Sequence, residues 1–331
     1  MWCLCFVFTH LFNLARPEFP IQPDKFSQLD PSVGISQPRV APSMQIDTGK
    51  SPFLPAPLTM EGAPPPRKLH EVEQILGTAL KSKKNKKLAE LRIVLCAAEK
   101  DPGHTKVGLH DYPLWQSRWT RLLNMGQYVE AEPAIHWPSP EQWQHADLIV
   151  FNAYNPTWSL EKDSLKLKDR GQELEQFLAR GGGLVFIHFA LNAGPNGPNA
   201  RALAAYTGLA LHRGQTRYRL TKEWLIDTSH PLAKGFSNLQ IPDECYWNFA
   251  GNLDSSAKVL ANNLQEDSLR PQMWTREHGA GRVFVSVPGH HTWTFDDPLY
   301  RILIFRGMMW AARQPMDRLA PLSILGARVE P

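Results

Sequence analysis

The sequence predicts an α/β fold built on a mostly parallel sheet flanked by helices on both faces. Three observations carry that expectation. Short apolar runs such as LRIVLCA (residues 91–97), ADLIVFNA and LVFIHF read as buried strands. Amphipathic stretches such as LWQSRWTRLL and GQELEQFLAR alternate with them, and glycine or proline punctuates the joins. Strands that alternate with helices form parallel sheets, because a parallel neighbour needs a crossover long enough to hold a helix.

Taken in order, residues 1–66 read as a disordered or loosely attached leader: from residue 16 they are rich in Pro, Ser and Gln, end in APPPR and keep no period of 2 or 3.6. The first fifteen, MWCLCFVFTHLFNLA, resemble a signal h-region but lack its positive flank, and Met44 or Met60 offers another start. The expected location is therefore cytoplasmic, with export as the alternative if that apolar stretch is a signal peptide. Residues 67–90 form a helical and basic linker. The α/β domain spans 91–315. After LRIVLCA comes a helix with Trp115, Trp119, Leu122 and Leu123 on one face, then the strands YVEAEPAI and ADLIVFNA. In the next helix Leu174, Phe177 and Leu178 share a face, and Gly181, Gly182 and Gly183 stop it before LVFIHF. Four further strands follow, TRYRLTKEWL, AKVLA, QMWT and RVFVSVP, and a last helix starts at Pro298, capped by Asp296 or Asp297. Residues 316–331 are a C-terminal tail.

Charge and cysteine exclude several classes. The run KSKKNKK supplies five positive charges, so the rest of the chain carries −1 rather than +4 and has no general polyanion-binding surface. No nucleic-acid or membrane partner is expected, and no stretch approaches the roughly 20 apolar residues of a bilayer span. A small-molecule partner remains, and a homo-oligomer stays open. Four cysteines, two of them Cys3 and Cys5, make neither a disulfide framework nor a zinc ribbon.

In an open parallel sheet, ligands bind beyond the carboxyl ends of the strands. That rule selects His104, His110 and Asp111 after the first strand, Asn152 after ADLIVF, His188 after LVFI, and His290 and His291 after RVFVSVP. Histidine transfers protons near neutrality and binds metals, so several at one rim point to acid/base or metal-assisted chemistry. The stretch IPDECYWN adds the carboxylates Asp243 and Glu244. We assign catalytic roles to His188, His290 and Glu244, and substrate contacts to His104, His110, Asp111, Asn152, Asp243, Trp247 and Trp293. Trp158 is a third tryptophan in a loop-like context that could stack on a ligand ring. No cofactor is certain; a divalent metal, zinc or manganese, held by His110, His188 and His290 is the alternative to pure acid/base chemistry. Two other chemistries are disfavoured. The triple glycine precedes its strand, whereas a dinucleotide fingerprint follows one. The turn IHFALNAG carries no cysteine or serine nucleophile, and Cys96 lies inside a strand.

The segments GHTKVGLHDYPLWQSRW, RGGGLVFIHFA, SHPLAKGF with DECYW, and WTREHGAGRVFVSVPGHHTWTFDDPLYRILIFRGMMWAA together resemble the ThuA-like (trehalose-utilisation) family over about residues 88–315. That resemblance implies a class I glutamine amidotransferase-like fold, a flavodoxin-like three-layer sandwich, without the catalytic cysteine of the amidotransferases. It implies a role in carbohydrate metabolism, associated with trehalose-type disaccharides and their keto derivatives; with the histidine set, the enzyme expected is a keto-sugar isomerase or hydrolase. The matching pocket positions are His104, His110, His188, Asp243, Glu244 and His290. The sequence departs from the family pattern in KDPGHTKVGLH, where Pro102 and extra spacing precede the histidines. A non-catalytic carbohydrate-binding or interaction module on the same fold is the alternative.

Overall fold

A computed structural model describes residues 57, 60–81, 88–101, 103–104, 106–153, 164–193 and 197–331. Most of the expected leader, most of the lysine run, Pro102 and Trp158 lie outside the described residues. The element order is β1 (Arg67–Lys68), α1 (Leu69–Leu76), β2 (Leu91–Ala97), α2 (Tyr112–Asn124), β3 (Val129–Ile135), α3 (Pro140–His145) and β4 (Leu148–Phe151). There follow α4 (Ser164–Ala179), β5 (Gly183–Ile187), α5 (Gly197–Thr207), β6 (Leu209–Ala210), β7 (Arg217–Ile226), β8 (Leu239–Trp247) and β9 (Ala250–Gly251). The chain closes with β10 (Ala257–Gln265), β11 (Ser268–His278), β12 (Gly281–Ser286), α6 (Thr292–Asp296), α7 (Pro298–Ala311) and β13 (Val329–Glu330).

Nine strands form one central sheet in the order β3-β2-β4-β5-β12-β11-β10-β7-β8. From β3 to β12 every pair is parallel, and from β12 to β8 every pair is antiparallel. The sheet is therefore mixed, which corrects the expectation of a mostly parallel one. The reason is loop length. Only Glu266 and Asp267 join β10 to β11, and only Gly279 and Ala280 join β11 to β12, and a two-residue connection can close nothing but a hairpin.

Within the parallel part, order reverses between β2 and β4, the place where ligands enter such sheets. The two central strands β4 and β5 are apolar throughout and every residue in them is buried, as befits strands covered on both faces. Register sends Phe284 toward α7, where a side chain on Gly307 would collide with its ring. Phe186 points the other way and stacks on Phe151, which borders Trp143 and so the Phe177 ring of α4. The face of α2 read from the sequence is the buried one: Trp115, Trp119, Leu122 and Leu123 are all within 2% of full burial, and Trp119 meets Phe305 of α7.

The antiparallel arm bends. Register shifts at Thr221/Glu223 and around Ala261 mark bulges, which kink strands. β8, outermost in the order, thereby returns to the centre: the side-chain amide of Gln272 on β11 gives a hydrogen bond to the Tyr246 carbonyl (2.7 Å) and accepts one from the Tyr246 N–H (3.2 Å). One glutamine thus stands in for a missing strand partner. Near the chain's ends, β1 pairs with β13 in parallel, and Arg67 donates to Asp297 (2.7 Å), the residue whose carboxylate caps α7 through the Leu299 and Tyr300 N–H groups. Asp296 does not cap; it accepts from Arg118 and Arg301, both buried. Among the described residues no helix is long and apolar enough to cross a membrane.

Candidate functional site

Three parallel strands deliver imidazoles to one place. After β2 the chain turns at Asp101, whose Oδ1 accepts from the Gly103 N–H (2.8 Å) while Oδ2 faces His104 Nδ1 (3.0 Å) and His110 Nδ1 (2.9 Å). His110 itself adopts a left-handed backbone (φ 43°), and its N–H bonds to the His290 carbonyl (3.1 Å), so the β2 loop is stitched to the β12 exit.

β5 ends in a sharper feature. His188, fully buried, has φ 52° and opens a short 3-10 turn through Leu191. A non-glycine residue held there is strained, and such strain concentrates at functional turns. In a nucleophile elbow the same strand-to-helix geometry exposes a serine or cysteine; here it presents an imidazole. Its Nδ1 lies 2.7 Å from the Val287 carbonyl, and its Nε2 lies 2.9 Å from His110 Nε2.

The turn after β12 is organised by Asp243 of β8. That fully buried carboxylate accepts from the N–H groups of Gly289 (3.1 Å), His290 (3.0 Å) and Glu244 (2.7 Å) and from the Thr294 hydroxyl. The turn so held puts His290 Nδ1 2.9 Å from His110 Nε2. Alternation along β8 then sends Glu244 and Tyr246 to the face opposite Asp243. Tyr246 donates to Glu244 Oε2 (2.6 Å), which sits 3.4 Å from His290 Nδ1 and 4.0 Å from His188 Nε2.

Electrostatics follow from burial. Desolvation lowers His110 to about 4 despite its hydrogen bond to Asp101, and lowers His188 to about 3 with help from the charge of His110. Desolvation and the neighbouring imidazoles hold His290 well below its ordinary value. All three rings are therefore neutral at pH 7. Burial raises Glu244, with the Tyr246 hydrogen bond opposing, and burial plus the charge of Glu244 push Tyr246 well above 10. Burial pushes Asp101 up, yet the hydrogen bonds from His104, His110 and Gly103 outweigh it and hold the carboxyl well below the usual carboxylate range.

Of the residues selected from the sequence, His104, His110, His188, His290 and Glu244 come together. The His104 side chain is 30% exposed while the other three rings are buried, so the cluster opens on the His104 side. Asp243 is adjacent, but its oxygens are committed to the turn rather than aimed at a ligand. Asp111 is the N-cap residue of α2, where Oδ2 faces the Gly108 N–H (3.4 Å) and Lys100 Nζ (3.8 Å); no bond joins it to the histidines. Asn152 follows β4 and is 1% exposed, its Oδ1 without a hydrogen-bond partner among the described residues. Trp247 is buried on the face of β8 opposite Glu244. Trp293 is buried as well, gives its N–H to the Pro242 carbonyl (2.9 Å) and stacks on His291 (3.9 Å).

Sequence reasoning missed Asp101 and Tyr246. Asp101 stands in a Lys-Asp-Pro turn that looks like loop punctuation, and Tyr246 looks like core; the two-residue spacing from Glu244 was the available signal, since both then share a strand face. Among the described residues, two sets of side chains could hold a metal ion: His188, Glu244 and His290, and His104, His110 and His290. The same groups could take or give protons.

Comparison with solved structures finds the fold again. A ThuA-like protein from Bacteroides uniformis ATCC 8492 superimposes with TM-score 0.51 at 14% identity, over 69% of this chain and 94% of that one. A ThuA-like protein from Parabacteroides merdae ATCC 43184 follows at TM-score 0.49 and 17% identity, over 68% and 90%. A protein from Salmonella typhimurium LT2, described as cytoplasmic, gives 0.44 and 16% over 67% and 97%. A comparison with curated proteins gave no match. The ThuA family model, described as trehalose utilisation, matches residues 127–311, more than half of the sequence, and on that match, with β4, β5, β8 and β12 all inside it, the chain belongs to the ThuA family.

Proposed function

We propose that the protein is an enzyme acting on a sugar or keto-sugar, of the trehalose-type disaccharide class, by histidine-centred acid/base or metal-assisted chemistry at the strand exits. One observation carries the reading: His110, His188 and His290, as much as 180 positions apart in sequence, meet at 2.9 Å as buried, neutral rings beside Glu244. Buried ionisable groups gathered beyond the exits of a sheet's parallel strands, with shifted protonation, are what active sites are made of. Isomerising a keto-sugar needs a base near an acidic C–H and a group that polarises the adjacent carbonyl; neutral imidazoles and a carboxyl raised by burial supply both. Hydrolysis of a keto-glycoside uses the same groups. On this reading Asn152, buried with a free amide oxygen, is a candidate contact for a substrate hydroxyl.

A binding module would need exposed aromatic platforms. Trp247 and Trp293 are both buried, and Trp293 is already covered by His291. The test is a panel of keto-disaccharides and trehalose against wild type and His188→Ala. Turnover in wild type, reduced by about 10²–10⁴-fold in the variant, is expected. Turnover that survives His188→Ala, or its absence across the panel in wild type, overturns the proposal.

A further inference from the structure

We infer that His110 Nε2, His188 Nε2, His290 Nδ1 and the Glu244 carboxylate hold one divalent first-row metal ion, of the zinc or manganese type. The inference deepens the proposed function and rests on it only for the choice of site; metal binding is measurable with no sugar present.

The argument is a count of protons. A carbonyl oxygen and an ionised carboxylate only accept hydrogen bonds. The Val287 carbonyl at 2.7 Å therefore places a proton on His188 Nδ1, and the Asp101 carboxylate at 2.9 Å places one on His110 Nδ1. In a neutral ring the other nitrogen then carries a bare lone pair. Those two lone pairs, on His188 Nε2 and His110 Nε2, face each other at 2.9 Å with no hydrogen to share. Tyr246 does not supply it: its hydroxyl lies 3.4 Å from His188 Nε2 but gives its hydrogen to Glu244 at 2.6 Å. His290 Nδ1 can donate to His110 Nε2 at 2.9 Å, which still leaves His188 unanswered.

Two things could answer it: an extra proton or a metal cation. An extra proton makes a charged imidazolium on a ring that is 1% exposed or less, where an added charge is costly to hold. A cation draws every lone pair inward at once. The two 2.9 Å spacings about His110 Nε2 agree, because metal–nitrogen bonds of about 2.1 Å put adjacent ligands of an octahedral ion about 3.0 Å apart, and Glu244, at 3.4 Å from His290 and 4.0 Å from His188, closes the set. Imidazole with carboxylate is a borderline donor set, suited to zinc, iron or manganese rather than calcium or copper(I).

The surroundings have the form that metal ligands require. Three of the four would-be ligands are gripped from behind by an outer partner: Asp101 on His110, the Val287 carbonyl on His188, Tyr246 on Glu244. The strained His188 backbone aims its ring into the same point. His104, half open to solvent and sharing Asp101 with His110, is left beside the ion as the side from which a ligand enters.

The test uses the full-length chain, stripped with chelator and titrated with zinc, manganese or cobalt(II). One ion per chain is expected, with the visible cobalt(II) spectrum of a bound site. Affinity should fall at least 100-fold in His188→Ala and Glu244→Gln, and roughly 10–100-fold in Asp101→Asn, which removes only an outer partner and keeps the ligands. His104→Ala should keep the ion within a few-fold of wild type. Circular dichroism confirms folding, and Asp101→Asn keeps the test alive if a ligand variant unfolds. Less than half an equivalent bound in wild type, unchanged affinity in His188→Ala, or loss in His104→Ala greater than in His188→Ala overturns the inference. Turnover of a keto-sugar by metal-free protein would remove the metal while leaving the proposed function standing.

Discussion

A single carboxylate does most to shape the site without facing a ligand. Asp243 gathers the N–H groups of Gly289, His290 and Glu244 and the Thr294 hydroxyl. Burial alone would raise its pKa, but the His291 imidazole, the electrostatic influence of His188 and the Thr294 hydroxyl together hold it at about 2. A carboxyl depressed in the folded state adds stability above its unfolded value, lost as pH falls through the folded one. Asp243 should therefore contribute on the order of 2 kcal/mol at neutral pH, and that part should disappear between about pH 4 and about pH 2. Urea denaturation of wild type across that window should show the slope, and Asp243→Asn should flatten it while lowering stability at pH 7 by about 2–4 kcal/mol. A carboxylate in a bland role would show neither. Individual residues were legible here to different degrees. His188 and His290 could be placed from strand ends alone, because a strand fixes where its next residue emerges. Asp101 and Tyr246 could not, because neither a turn aspartate nor a strand tyrosine differs from its structural counterpart until the partner across the cavity is known.

At the level of elements, connection length decides what the strands do. The β10–β11 turn holds Glu266 and Asp267 at φ 51° and 56°, a left-handed pair that favours Asn-Gly. Replacing both by Asn and Gly should stabilise the protein by about 1 kcal/mol, read as a rise of a few degrees in Tm with no change at the site. Those residues also explain why the hairpin was hard to see: Glu-Asp does not announce a type I′ turn, so the strands flanking it look like further members of an alternating pattern. β8 was hidden for a related reason. Its Pro242 and two acids suggest an irregular stretch, yet proline is tolerated on an outer strand, which is where β8 pairs. The helices were easier, since the apolar spacing of α2 and the Asp-Pro start of α7 are local signals with few competing readings.

Across the whole molecule, the candidate site joins two halves of one sheet. The parallel half supplies His110, His188 and His290 from strands that neighbour one another or lie near the switch point. The antiparallel half supplies Glu244 and Tyr246 from its last strand, brought home by two bulges and the Gln272 amide. This long-range return has no sequence signature, because bulges and a side chain imitating a backbone leave no period behind. Gln272→Ala should leave the parallel half intact and cost about 1–3 kcal/mol, the burden of two buried Tyr246 groups left without partners. Any activity on a keto-sugar should fall further in this variant than the stability loss would suggest, since Glu244 loses its bearing toward His290. The glutamine has a consequence in time as well. Amide protons of β8 should exchange with solvent well before those of β4 and β5, whose neighbours hold them on both sides, so the carboxylate wall of the cavity breathes on a faster clock than the imidazole wall. The two sides of the cluster therefore differ in tempo, with the histidine side the slower to open.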